Sequence, residues 1–229
     1  LDAEDTRVFY RLGVLYENLG QSDLAENEYQ KALRLKPDLE QVRLRLGQLY
    51  SKTGQIAKAE EQFNKVLELD AESEGARNNL GALYFQSGRF QDAEAEYLQV
   101  IKIWPQKLRA YNNLGVLYYE TKKFEDAEKN FQKVLEIDPS YIEAKNNLGM
   151  LYIRIKKKRE AIKLLVSSTT MDPNRADTHY YLGMAYMSED NWRLAQRELE
   201  TALSLNPDNP DTYDKLGVTY AQEKMWEKA

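Results

Sequence analysis

Glycine recurs at positions 13, 47, 81, 115, 149, 183 and 217, always 34 residues apart, and each follows a leucine. Three residues after each glycine stands a tyrosine, from Tyr16 and Tyr50 through to Tyr220. An alanine ladder, Ala25, Ala59, Ala93, Ala127, Ala161, Ala195 and Ala229, keeps the same interval. Pro37, Pro105, Pro139, Pro173 and Pro207 close the units, with Ala71 in the second closing position. A period of this size means that each unit is one supersecondary element that buries its apolar side only by stacking on neighbours. Counted from Thr6, full units occupy 6–39, 40–73, 74–107, 108–141, 142–175 and 176–209. A partial unit follows at 210–229, and residues 1–5 lead in.

Each unit carries two helical stripes. In the fourth, Tyr111, Leu114, Leu117 and Tyr118 fall on one face, and after Glu120-Thr121-Lys122-Lys123 a second stripe runs Phe124, Ala127, Phe131, Val134, Leu135. Gly20, Gly54 and Gly88 stand where the first helix ends and suit a left-handed cap. Asp38, Ser140, Asn174 and Asp208 follow the closing proline and are expected to cap the next first helix. Gly at the Leu-Gly step and Ala on the second helix lack bulk, which lets helix axes approach closely. The Ser167-Ser168-Thr169-Thr170 run is expected to interrupt the second helix of its unit, with Thr169 in the place of a large apolar residue.

The 34-residue period with its Leu-Gly, Tyr, Ala, aromatic and Pro ladders resembles the tetratricopeptide repeat (TPR) family over residues 6–229. The resemblance implies an all-α fold, an alpha-alpha superhelix (solenoid) of six full and one partial helix-turn-helix repeats. It also implies thirteen or fourteen antiparallel helices, with the first helix of each repeat lining a concave groove. A non-catalytic protein–protein interaction module that binds a peptide or partner protein there is the expected function. Two alternatives stand beside it: a self-assembling scaffold, and the substrate-presenting arm of a larger enzyme such as a glycosyltransferase.

On that first-helix face, three successive units present Asn pairs: Asn78-Asn79, Asn112-Asn113 and Asn146-Asn147. A side-chain amide both donates and accepts, so it pairs with a peptide bond, and Asn has no intrinsic reason to recur in mid-helix. The segment Asn-Asn-Leu-Gly resembles the asparagine ladder of O-linked N-acetylglucosamine transferase TPR superhelices. That resemblance implies a grip on peptide backbone by Asn79, Asn113 and Asn147; the alternative is that both residues of each pair bond between neighbouring helices. Arg11, Arg45 and Arg109 are expected to make the early part of the binding face basic. Tyr119, Ile153, Tyr180, Tyr181 and Met184 are expected to make its later part apolar. A peptide with an acidic portion and an apolar portion would match both. The carboxylate clamp of chaperone-binding TPR domains is not reproduced, since Leu44, Gln48 and Asn113 stand where a clamp wants Lys, Asn and a cation.

Composition narrows the remaining classes. With no Cys and a single His, thiol nucleophiles, thiolate zinc sites and His-pair metal sites are excluded, and no metal or cofactor is expected. The net charge of −5 argues against nucleic-acid binding. No apolar run is long enough to span a bilayer, so no membrane insertion is expected and a soluble, cytoplasmic setting is favoured. His179 is expected to pack between helices rather than act in catalysis, and Lys156-Lys157-Lys158-Arg159 to form a solvated turn. Leu216 and Tyr220 would be covered only by a stub, Trp226 to Ala229. The chain therefore reads as a fragment of a longer repeat protein, open to self-association through exposed repeat ends.

Overall fold

The computed structural model describes the backbone of residues 2–226 and the side chains of residues 5–222. Among them are thirteen helices and no strand: α1 (Asp2–Asn18), α2 (Ser22–Leu35), α3 (Glu40–Lys52), α4 (Ile56–Leu69), α5 (Glu74–Gln86), α6 (Phe90–Ile103), α7 (Leu108–Glu120), α8 (Phe124–Ile137), α9 (Ile142–Arg154), α10 (Lys158–Met171), α11 (Ala176–Ser188), α12 (Trp192–Leu205) and α13 (Pro210–Trp226). Helix α1 begins at Asp2 and so runs through the end of the lead-in into the first repeat. The stub at Trp226–Ala229 lies outside the described side chains. The chain forms two compact units, Leu1–Asn113 and Leu114–Ala229, with the division inside α7.

In each unit odd- and even-numbered helices pair as hairpins. The pairing rests on the glycine of the Leu-Gly step. A Cβ at Gly13, Gly47 or Gly81 would sit on the ring of Tyr29, Phe63 or Tyr97, well inside 3.0 Å. At Gly115 it would lie 2.6 Å from Phe131, and at Gly149 and Gly183 it would lie 2.7 Å from Leu165 and Leu199. These six side chains are 2% exposed or less, and burying each contributes about 1.5–3 kcal/mol. The alanines of the second helices, Ala25 through Ala195, are fully buried.

The turns inside the hairpins are of one kind. Gly20, Gly54 and Gly88 adopt φ of 72°, 76° and 74°. After α1, the Gln21 amide donates to Tyr16 O at 2.9 Å and the Gly20 amide to Glu17 O at 3.1 Å, the bond pair of a Schellman cap. In the second unit Lys122, Lys156 and Asp190 take the same place with φ of 62°, 62° and 56°. Of the lysine-rich run, Lys156 carries the left-handed residue of the turn and Lys157 the N-cap, while Lys158 and Arg159 begin α10.

Two local expectations are corrected. The residues after the closing proline do not cap the next helix: Leu39, Tyr141 and Arg175 occupy the N-cap positions of α3, α9 and α11 without a side-chain bond. The carboxylates two residues earlier hold the turn instead, Asp138 Oδ1 accepting from the Ser140 amide at 2.8 Å and Asp172 Oδ1 from the Asn174 amide at 3.1 Å. Before α13 it is Asn209, not Asp208, that accepts from the Asp211 and Thr212 amides. Nor does the Ser-Thr run interrupt a helix, because Thr169 and Thr170 satisfy their hydroxyls on Val166 O within a continuous α10. The buried member is Ser168, fully enclosed with an Oγ that has no partner, in the register position that Val134 fills one repeat earlier.

Candidate binding faces on the first helices

In the first unit the candidate residues lie on α1, α3, α5 and the start of α7. Arg11 and Arg109 are exposed, and Arg45 is half-buried. The Tyr10 hydroxyl bonded to Arg45, followed by the nearby Glu17 charge, raises the guanidinium's affinity for its proton. Burial pushes the Tyr97 hydroxyl up to about 12, with the Arg109 charge pulling the other way.

The Asn pairs divide. Asn78 is 1% exposed, and its Nδ2 donates to Glu74 O at 3.1 Å. Asn146 is 2% exposed, and its Nδ2 donates to Thr178 Oγ1 on α11 at 2.8 Å. A ligand cannot reach either, so Asn78 and Asn146 leave the candidate set; their position in the helix turns them into the core. Asn79, Asn113 and Asn147 are half-buried, and Asn112 is half-buried as well. Asn79 accepts from Gln48 Nε2 of α3 at 3.2 Å, a partnership between neighbouring first helices that sequence spacing of 31 residues conceals.

In the second unit the apolar candidates gather. Tyr180 and Tyr181 meet edge-on with ring centroids 5.5 Å apart. Ile153 and Tyr181 pack against the buried cluster of Ala161, Leu165, Leu182 and Ala185. Tyr119 packs against Ala127, Phe131, Leu148 and Leu151. Burial raises the Tyr181 hydroxyl, and the Asp177, Tyr180 and Tyr119 groups add to it. Met184 stands in a shallow cleft of about 330 Å³ with Met187, Ser188, Trp192, Lys215 and Val218. Trp192 and Val218 were not anticipated, because Trp192 belongs to the start of a second helix and Val218 to the next repeat.

A further set of side chains ties the frame together. His179 is 8% exposed; its Nδ1 lies 2.7 Å from Glu198 Oε2 and its Nε2 3.0 Å from Pro173 O. Both ring nitrogens are engaged, as the packing expectation requires. Arg43 makes the same pair of contacts with Gln62 and Pro37 O, and Arg77 with Glu96 and Ala71 O. Lys145, 34 residues before His179, has Leu164 where the acceptor belongs and turns to Ser167 Oγ at 3.0 Å and Met171 Sδ at 2.9 Å.

Stacked antiparallel hairpins with an open first-helix face define a helical-repeat interaction protein. Tetratricopeptide repeat profiles match residues 6–39, 40–73, 72–140, 118–185 and 176–209, and the chain belongs to the tetratricopeptide repeat family. No curated protein matches it significantly. Among solved structures it is similar to the APC/C hetero-tetramer Cut9-Hcn1 (18% identity, TM-score 0.78, covering 93% of this chain and 42% of that one). It is similar to yeast Tom70 (18% identity, TM-score 0.78, covering 90% and 46%). It is also similar to MamA (26% identity, TM-score 0.59, covering 76% and 94%). The chain spans less than half the length of the first two. Among the described residues, no helix is long and apolar enough to cross a membrane.

Proposed function

We propose that the protein is a non-catalytic interaction module that holds a peptide segment of a partner on its first helices. The division of the Asn pairs carries this reading. In the first and third pairs Asn78 and Asn146 are buried, while Asn79 and Asn147, and both members of the Asn112-Asn113 pair, are half-exposed on the first helices, where a side-chain amide can pair with a peptide bond. Arg11, Arg45 and Arg109 favour acidic side chains on the first unit. Tyr119, Ile153, Tyr180, Tyr181 and Met184 favour apolar ones on the second, where Met adapts to several shapes. Replacing Asn79, Asn113 and Asn147 together by Ala is expected to abolish capture of peptides in an array screen while leaving far-ultraviolet circular dichroism unchanged. Equal capture by wild type and triple variant would sink the reading.

A further inference from the structure

One repeat departs from the others along a single stripe of its second helix. At the register of Leu164 every other full repeat carries a carboxylate or an amide: Glu28, Gln62, Glu96, Asn130 and Glu198. At the register of Met171 every other full repeat carries Leu or Ile, and Lys31, Lys65 and Lys133 stand at that of Ser167. Leu164, Ser167 and Met171 follow one another at steps of three and four residues, so the three departures share one face of α10.

That face meets Lys145 of α9. Its register equivalents Arg43, Arg77 and His179 reach Gln62, Glu96 and Glu198. Lys145 is 8% exposed, and its Nζ donates to Ser167 Oγ at 3.0 Å and to Met171 Sδ at 2.9 Å, with no ion pair among the described residues. The Asp138 carboxyl is held below its ordinary range first by the Ser140 hydroxyl and amide, with the Lys145 charge a lesser cause, so that acid is taken up in its own turn. A thioether is a weak acceptor, which leaves a buried ammonium poorly satisfied. Met171 is the last residue of α10 and is 43% exposed, whereas Met150, Met184 and Met187 are half-buried.

We infer that Met171 is an oxidation site, at which a hydroperoxide supplies the acceptor that Lys145 lacks. The thioether sulfur gives an electron pair to one peroxide oxygen, the O–O bond breaks and an S–O bond forms. With hydrogen peroxide the second oxygen leaves as water, taking the proton of the oxygen delivered; sulfur is oxidised and the peroxide reduced. The sulfoxide oxygen is a strong acceptor, and a hydrogen bond to it from an ammonium is charge-assisted. The unbranched Met chain lets that oxygen turn towards Nζ. Sulfoxide formation ordinarily loosens a packed joint by making an apolar side chain polar. Here it fastens α9 to α10. The site is on a second helix and does not depend on the peptide-binding reading.

The test uses the full chain with Met150, Met184, Met187 and Met225 replaced by Leu, which leaves Met171 as its one sulfur. Hydrogen peroxide is expected to add one oxygen at Met171, mapped by mass spectrometry of peptides. Oxidation is expected to raise the melting temperature by about 2–4 °C, and methionine sulfoxide reductase with a thiol reductant to reverse the rise. In the Lys145→Leu derivative the same oxidation is expected to lower the melting temperature, since no ammonium meets the new oxygen. An unchanged or lowered melting temperature on oxidation of the protein that keeps Lys145 would overturn the inference, whether or not the Lys145→Leu derivative folds. So would a rise of equal size in both proteins, or a Met171 left unmodified by peroxide that fully converts free methionine.

Discussion

The two units hold one frame with different chemistry. Every positive-φ turn residue of the first unit is glycine, whereas Lys122, Lys156 and Asp190 fill those turns in the second. Opposite the Leu-Gly step the first unit places Tyr29, Phe63 and Tyr97, while the second passes from Phe131 to Leu165 and Leu199. In the first, Arg43 and Arg77 tie to Gln62 and Glu96, and Tyr50 and Tyr84 donate to Glu26 and Glu60, while Glu28 Oε2 and Asn78 Oδ1 are buried without a partner. The second keeps the His179–Glu198 tie and the Tyr152–Glu128 bond, but it also has a lysine on a thioether, a buried hydroxyl without a partner and Ile162 in the register of Glu26, Glu60 and Glu128, and these last three involve α10. The difference teaches that hairpin stacking tolerates loss of individual polar devices so long as the small-against-large packing at the Leu-Gly step survives. Packing there is close-ranged and cannot be shared out, whereas each hydrogen bond contributes only about 1 kcal/mol.

The largest effect is expected at that step. Gly47→Ala drives a methyl into the Phe63 ring and should destabilise by about 1–3 kcal/mol in urea titrations. Unchanged stability would refute the packing account.

Ser168→Val comes next. It removes the buried, unpartnered hydroxyl of α10 and restores the residue type found at Val134, so a gain of about 1–2 kcal/mol is expected in thermal melts. Loss of stability would show that the Oγ is satisfied in solution.

Removing a tyrosine hydroxyl that donates to the preceding second helix should separate the units by a smaller margin. Tyr84→Phe should cost about 1 kcal/mol, and Tyr186→Phe close to nothing, since only the former donates to a carboxylate. The same group sets an alkaline limit. Burial, then the Glu60 bond, pushes Tyr84 up to about 12, so the neutral phenol favours the folded state. Its contribution is full below pH 10 and is lost as pH rises from there through about 12. Tyr84→Phe should flatten the alkaline fall in melting temperature over that window.

The smallest effect is expected at the turns. Lys156→Gly relieves a side chain held at φ 62° and should stabilise by about 0.5–1 kcal/mol, whereas Gly54→Ala should cost about 1 kcal/mol. Paired denaturation curves check the signs.

Much of the frame was legible because it is written in side-chain size. The glycines, alanines and large apolar residues at 34-residue intervals specify hairpin contacts that recur in every repeat. Glycine at 20, 54 and 88 also announces its own backbone conformation. Lys122, Lys156 and Asp190 do not, since nothing in a lysine signals a left-handed φ; only their register with the glycines does.

The candidate faces were legible in part. That Asn recurs is plain from the chain, but which amide of a pair faces inward depends on a helix rotation of about 100° per residue and on what packs above it. Asn78 and Asn146 were lost to the core for that reason. The Gln48–Asn79 contact and the His179–Glu198 pair join residues 31 and 19 positions apart. The chain by itself determined the period, the helices and the family, because steric bulk repeats locally and cumulatively. Only tertiary structure decided which polar groups are paired, buried or left open, because those bonds form between elements and depend on directions that a one-dimensional pattern does not carry.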